Sequence, residues 1–98
     1  GRGATAGRQR VRGAGRLVMR PREAALAPSR LVPLQDAVGL VAADVVSPYP
    51  PGIPVLCPGE QVSVEAVAYL QAILHRGGEV RGLVSGPDAP AVRVVGAR

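Results

Sequence analysis

Glu60 is the most conspicuous acid in this chain of 98 residues, because it follows Pro58-Gly59 directly and a stiff turn there would fix its carboxylate in one place. Such a group can exchange a proton or anchor a cationic ligand. It also stands just ahead of Ser63, where a helix is expected, and a carboxylate stabilised by that helix dipole is the preferred reading. Tyr49 can donate a phenolic hydrogen bond to a ligand; packing against its neighbouring prolines is an equal alternative. Cys57 has no adjacent Lys, His or Arg to activate it, so it reads as a buried, inert thiol. His75, near the expected helix end, reads as a dipole-stabilised surface residue and not as a base. Asp36, Asp44, Glu65 and Glu79 show no paired-carboxylate spacing for acid/base work. No residue is assigned a catalytic role, and one Cys with one His cannot fill a four-ligand zinc site.

The elements around these residues centre on a proline-rich loop. Pro51-Gly52 and Pro58-Gly59 each place the fixed φ of proline before a residue able to take φ > 0, as a type II turn requires. Two turns thus bracket a short extended run in which Ile53, Val55 and Cys57 face one way and Leu56 the other. Apolar on both faces, the run is expected to be buried. Pro54 cannot donate to a ladder, which confines the run to a sheet edge or to non-sheet extended backbone.

Ser63 suits the N-cap of an amphipathic helix over about 64–76, with Val64, Val67, Leu70, Ile73 and Leu74 at helical spacing and Gly77-Gly78 ending it. Before the loop, 17–19 reads as a short strand closed by Pro21, and 28–33 as a connecting segment between prolines. Residues 34–38 read as a helical turn or two ended by Gly39, and 40–46 as an extended run. After the helix, 79–84 and 91–95 read as short strands split by the Gly86-Pro87-Asp88 turn. The sum is a small α+β domain.

Composition bounds the rest. A chain this short buries about 60 to 65% of its unfolded surface, so stability is marginal. With no Phe, no Trp and two Tyr, the core must come from Val, Leu, Ile and Ala, and some apolar surface is left uncovered. Arg2, Arg8, Arg10, Arg12 and Arg16 face no acid before Leu17, whereas the remainder carries equal numbers of arginines and acids. The net charge of +5 therefore sits in residues 1–16, read as a disordered Gly/Arg-rich tail or linker ahead of a domain at 17–98. An Arg-rich, acid-free start also fits a transit peptide or a nucleic-acid-binding tail, and a flexible linker is preferred because no aromatic interleaves the arginines. No apolar run approaches the roughly 18 residues of a membrane span. A chain opening on Gly1 suggests a fragment or a processed product.

Arg20-Pro21-Arg22-Glu23-Ala24, then Val32-Pro33-Leu34-Gln35-Asp36-Ala37-Val38-Gly39, then Tyr49-Pro50-Pro51-Gly52-Ile53-Pro54 and Pro58-Gly59-Glu60 resemble, in order and spacing, the C-terminal domain of the ornithine/lysine/arginine decarboxylases. The resemblance runs from Met19 to Val95 and is most specific in the proline-rich loop. It implies pyridoxal-phosphate lyases of the aspartate-aminotransferase fold type, in which a larger domain holds the cofactor on a lysine and the ring withdraws electrons as carbon dioxide leaves. This chain contains no lysine, so it binds no cofactor by that route and is expected to be inactive alone. The resemblance further implies that the domain supplies packing and a channel wall, with Tyr49, Gly52 and Glu60 as substrate-channel residues. Its implied partner is the cofactor-binding domain of the same or another chain, in a cytoplasmic homo-oligomer of amino-acid metabolism and polyamine biosynthesis. The choice among ornithine, lysine and arginine belongs to a pocket elsewhere.

Two other readings stand beside it. Residues 32–39 with Ala43-Asp44-Val45-Val46-Ser47-Pro48 also resemble the opening of the molybdopterin molybdenumtransferases, a likeness that breaks at Tyr49. The third is a non-enzymatic interaction module whose arginine tail binds a polyanion.

Overall fold

The computed structural model describes residues 16–49, 52–86 and 89–96. All of the expected tail but Arg16 lies outside them, as do Pro50, Pro51, Pro87 and Asp88. Seven short elements follow in order: helix α1 (Pro21–Leu26), strand β1 (Ser29–Pro33), a 3₁₀ turn (Leu34–Asp36), strand β2 (Ser47–Pro48), helix α2 (Val64–His75), and strands β3 (Val80–Arg81) and β4 (Ala91–Val95). This is a small α+β fold.

β4 organises the sheet. It pairs antiparallel with β1, Val32 opposite Val92 and Ser29 opposite Val95. Its other edge takes residues 41–43: Ala43 N–H donates to the Arg93 carbonyl (3.0 Å) and Val95 N–H to that of Val41 (2.8 Å). That segment in turn meets 59–62, through Ala42 N–H to the Glu60 carbonyl and Val62 N–H to that of Leu40, both 2.8 Å. Residues 16–18 then close on 59–61, where Leu17 bridges Glu60. An irregular antiparallel sheet results, with β1 at one side and the first described residues at the other. β2 and β3 pair separately, Ser47 opposite Arg81.

The core lies between this sheet and α2. Val92 and Val94 alternate with half-exposed neighbours along β4, as a strand with one buried face requires. They meet Ala66, Val67 and Leu70 of α2, together with Leu34, Val46, Val55, Leu56 and Val62. Neither tyrosine belongs to the core; aliphatic side chains build it, each Val or Leu contributing about 1.5–3 kcal/mol when fully buried.

The expected helix forms nearly as read. Ser63 Oγ accepts from Ala66 N–H at 3.0 Å, and the helix ends at His75 with Arg76 as C-cap and Gly77 at φ +83°. Val64 departs from the expected apolar face and is exposed, because the first helical position turns away from the core. Gly39 takes φ +88° as expected, though the helical turn before it is only the 3₁₀ turn.

Other segments differ from expectation. Residues 17–19 are not a strand; Leu17 makes an isolated bridge, and Pro21 opens α1 instead of closing a strand. Proline is at home there, since its missing N–H would have no partner in a first helical turn. Ala27, held extended before Pro28, ends the helix. The connecting segment expected over 28–33 contains β1, which tolerates Pro33 at its last position. Residues 40–46 hold bridges at Val41, Ala42 and Val46 without one continuous strand. The 79–84 strand shrinks to β3 because Gly82 breaks it at φ +99°, and Val84 bridges Ala91 beyond the break.

Candidate functional site

The proline-rich loop springs from Val46. Val46 N–H donates to the Leu56 carbonyl at 2.9 Å, and its own carbonyl accepts from Val55 and Leu56 at 2.8 and 3.1 Å. Val55 and Leu56 are fully enclosed, so the loop is rooted in the core. Its outer part is not. Ile53, expected on a buried face, is 49% exposed, because only the two residues at the root of the run reach the interior. Pro54 lies in non-sheet backbone, as its missing N–H requires.

The returning arm ends in a type II turn over Cys57, Pro58, Gly59 and Glu60. Glu60 N–H donates to the Cys57 carbonyl (3.1 Å), and Gly59 takes φ +91°. A Cβ on Gly59 would overlap the backbone carbonyl of Met19 and crowd Leu17. The segment entering the domain therefore lies directly on this turn, where the Gly59 carbonyl accepts from Val18 and Met19 N–H at 2.8 and 3.1 Å. The first Pro-Gly turn involves Pro51, which lies outside the described residues.

Glu60 is 7% exposed. Its Oε1 accepts from the backbone N–H of Cys57 at 2.9 Å, across the turn that carries it. Tyr49 sits at the other arm, 55% exposed, with its N–H donated to the Glu79 carbonyl (2.8 Å). The Arg81 guanidinium lies over its ring, 5.9 Å from the centroid, within cation–π range. Arg81 is absent from the sequence reading: it is a surface arginine until β3 places it opposite Ser47, two residues from Tyr49. Gly82 keeps β3 close, since a Cβ there would overlap the Val45 carbonyl. Gly52 is exposed with open space around it. Tyr49 and Gly52 are thus solvent-facing outer-loop residues, while Glu60 is buried at its base.

The other candidates scatter. Cys57 is half-buried, not buried as expected. His75 is exposed on the last turn of α2, beside a shallow apolar cavity lined by Leu34, Gln71, Leu74 and Pro90. Asp44 pairs with Arg93 at 3.3 Å, on the outer side of the sheet. Among the described residues no three His, Cys, Asp or Glu side chains gather to hold a metal. No described helix is long and apolar enough to cross a membrane.

Comparison with known proteins decides the family. The model of the Orn/Lys/Arg decarboxylase C-terminal domain matches residues 6–85. The chain belongs to this family. As an Orn/Lys/Arg decarboxylase C-terminal domain it is 41% identical over 66 residues to an arginine decarboxylase of Bacillus subtilis, covering 67% of this chain and 14% of that protein. It is 51% identical over 43 residues to an ornithine decarboxylase of Haemophilus influenzae, covering 44% and 6% respectively. The solved constitutive lysine decarboxylase of E. coli superposes with a TM-score of 0.72 at 27% identity, over 84% of this chain and 14% of that one. The matched stretch thus spans about one seventh of the arginine and lysine decarboxylases and less of the ornithine decarboxylase.

Proposed function

We propose that this domain packs against a larger, cofactor-bearing part of a pyridoxal-phosphate-dependent decarboxylase of ornithine, lysine or arginine, and that its proline-rich loop forms one wall of the channel to the cofactor. The observation that carries this reading is the loop itself: rooted in the core at Val55 and Leu56, it leaves Tyr49, Gly52 and Ile53 exposed at its outer side. Apolar side chains left uncovered on the same small domain, among them Leu17, Val18 and Leu26, favour a neighbour that covers them.

The residues present do not fit pyridoxal phosphate. The chain has no lysine amine to hold the cofactor as a Schiff base. In this reading the domain contributes no bond-making group. Tyr49, steadied by Arg81, offers a phenol to a passing substrate; Gly52 leaves the channel unobstructed; and Glu60 fixes the arm behind them. Reaction and substrate choice belong to the larger part, in a homo-oligomer.

Two measurements test this. The isolated chain, supplied with pyridoxal phosphate and each of the three amino acids, releases no carbon dioxide; turnover would refute the accessory role. In a complete decarboxylase containing this domain, Tyr49→Ala raises KM by about fivefold with kcat within about twofold, the pattern of lost uniform binding. An unchanged KM would remove the loop from the channel.

A further inference from the structure

We propose that the stretch from Met19 to Ala27, with Leu26 as its main apolar contact, is the surface by which this domain seats on the larger part of the decarboxylase, against an apolar side chain flanked by carboxylates. This rests on the accessory reading above and names the contact within it. In α1 only Ala24 is buried, so one small side chain ties the helix to the core and the others are turned outward. Leu26 is 76% exposed, more than any other large apolar side chain among the described residues. Together with Met19, Arg20, Arg22, Glu23 and Ala27 it lines an open recess of about 430 Å³. Leu17 and Val18, immediately before that stretch, are exposed as well. An apolar recess with charged groups at its rim is the anatomy of a contact surface.

Charge decides what covers it. Arg20 and Arg22 have no ion-pair partner among the described residues, and Glu23 is the one acid of the recess, so the rim is net positive. The first fifteen residues of the sequence hold Arg2, Arg8, Arg10 and Arg12 and no acid, so they bring the same sign. A second copy seated face to face brings its own Arg20 and Arg22 against these two, an arrangement that like charges disfavour. The larger part meets neither objection. It is also the nearest surface, because in the relatives this domain is the C-terminal one and about one seventh of the length, so most of their polypeptide runs into the stretch equivalent to 17–27. Apolar burial at Leu26 then supplies the adhesion, and the two arginines supply the orientation.

The test measures amide hydrogen exchange in a complete decarboxylase containing this domain and in the 98-residue chain. Exchange over residues 23–27 is expected to be about tenfold slower in the complete enzyme. Leu26→Asp in the complete enzyme abolishes that slowing, yet leaves the urea midpoint of the 98-residue chain unchanged, because the side chain is already in water. Arg20→Glu combined with Arg22→Glu reduces the slowing by about threefold. If the complete enzyme does not assemble with Leu26→Asp, the parent comparison and the arginine variant decide. Slowing that survives Leu26→Asp overturns the proposal, as does slowing confined to other surfaces such as α2; in both cases the accessory reading stands. No slowing anywhere on the domain overturns the accessory reading itself. Slowing over 23–27 that appears in the 98-residue chain as its concentration rises makes a second copy the occupant, and overturns the proposal too.

Discussion

Gly59 and Gly82 do similar work in different places: each takes a positive φ, and each lies where a Cβ would strike a carbonyl of a neighbouring segment. Backbone freedom and close approach are both needed, so any other residue is penalised twice. Gly77, at φ +83° with nothing near its missing Cβ, needs only the first. Gly77→Ala is accordingly expected to cost about 1 kcal/mol, and Gly59→Ala about 3 kcal/mol or more. Urea midpoints of the chain check the ranking; equal losses would show that the Met19 segment yields freely. The same close approach explains why Glu60 is enclosed, for the segment pressed on Gly59 also covers its neighbour.

Among the elements, α2 was the most legible from sequence, since Ser63, the apolar spacing and Gly77-Gly78 are local signals that agree. Ser63→Ala should cost about 1 kcal/mol through the lost cap, and Leu70→Ala about 2–5 kcal/mol through the cavity left in the core. Thermal or urea unfolding of the two variants measures both, and a larger loss from the cap would invert the relative weight of capping and packing. β1 was illegible for the opposite reason. Its flanking prolines read as punctuation, and its role comes from β4, whose paired residues lie 58 to 66 positions away in the chain. α1 was hidden as well: six residues with only Ala24 buried leave no periodicity to detect, and its start rests on a proline that also reads as a stop. In the candidate site, the proline turn at Gly59 was visible locally, whereas the Arg81–Tyr49 stack required the β2–β3 pairing and the hydrogen bond from Cys57 N–H to Glu60 required the turn in three dimensions.

At the scale of the whole molecule, few residues lie in regular strands, and the sheet is assembled largely from single bridges between loops. Cohesion depends on the strand that most of these segments reach, directly or through one intermediary. Deleting residues 90–98 removes β4, strips β1 of its partner and exposes the edge of the 41–43 segment. Such a shortened chain is expected to lose its cooperative urea transition; a retained sigmoid of similar slope would show that α2 and the loop root form a unit without β4.

The last described strand lying inside the sheet, between β1 and the 41–43 segment, has a consequence for biosynthesis. A ribosome delivers α1, the loop and α2 long before Val92 and Val94 emerge, and until then the edges that will pair with β4 have nothing to bond. Closure of the domain is therefore expected to follow release of β4 from the ribosome, because the core shared with Val92 and Val94 is incomplete before then.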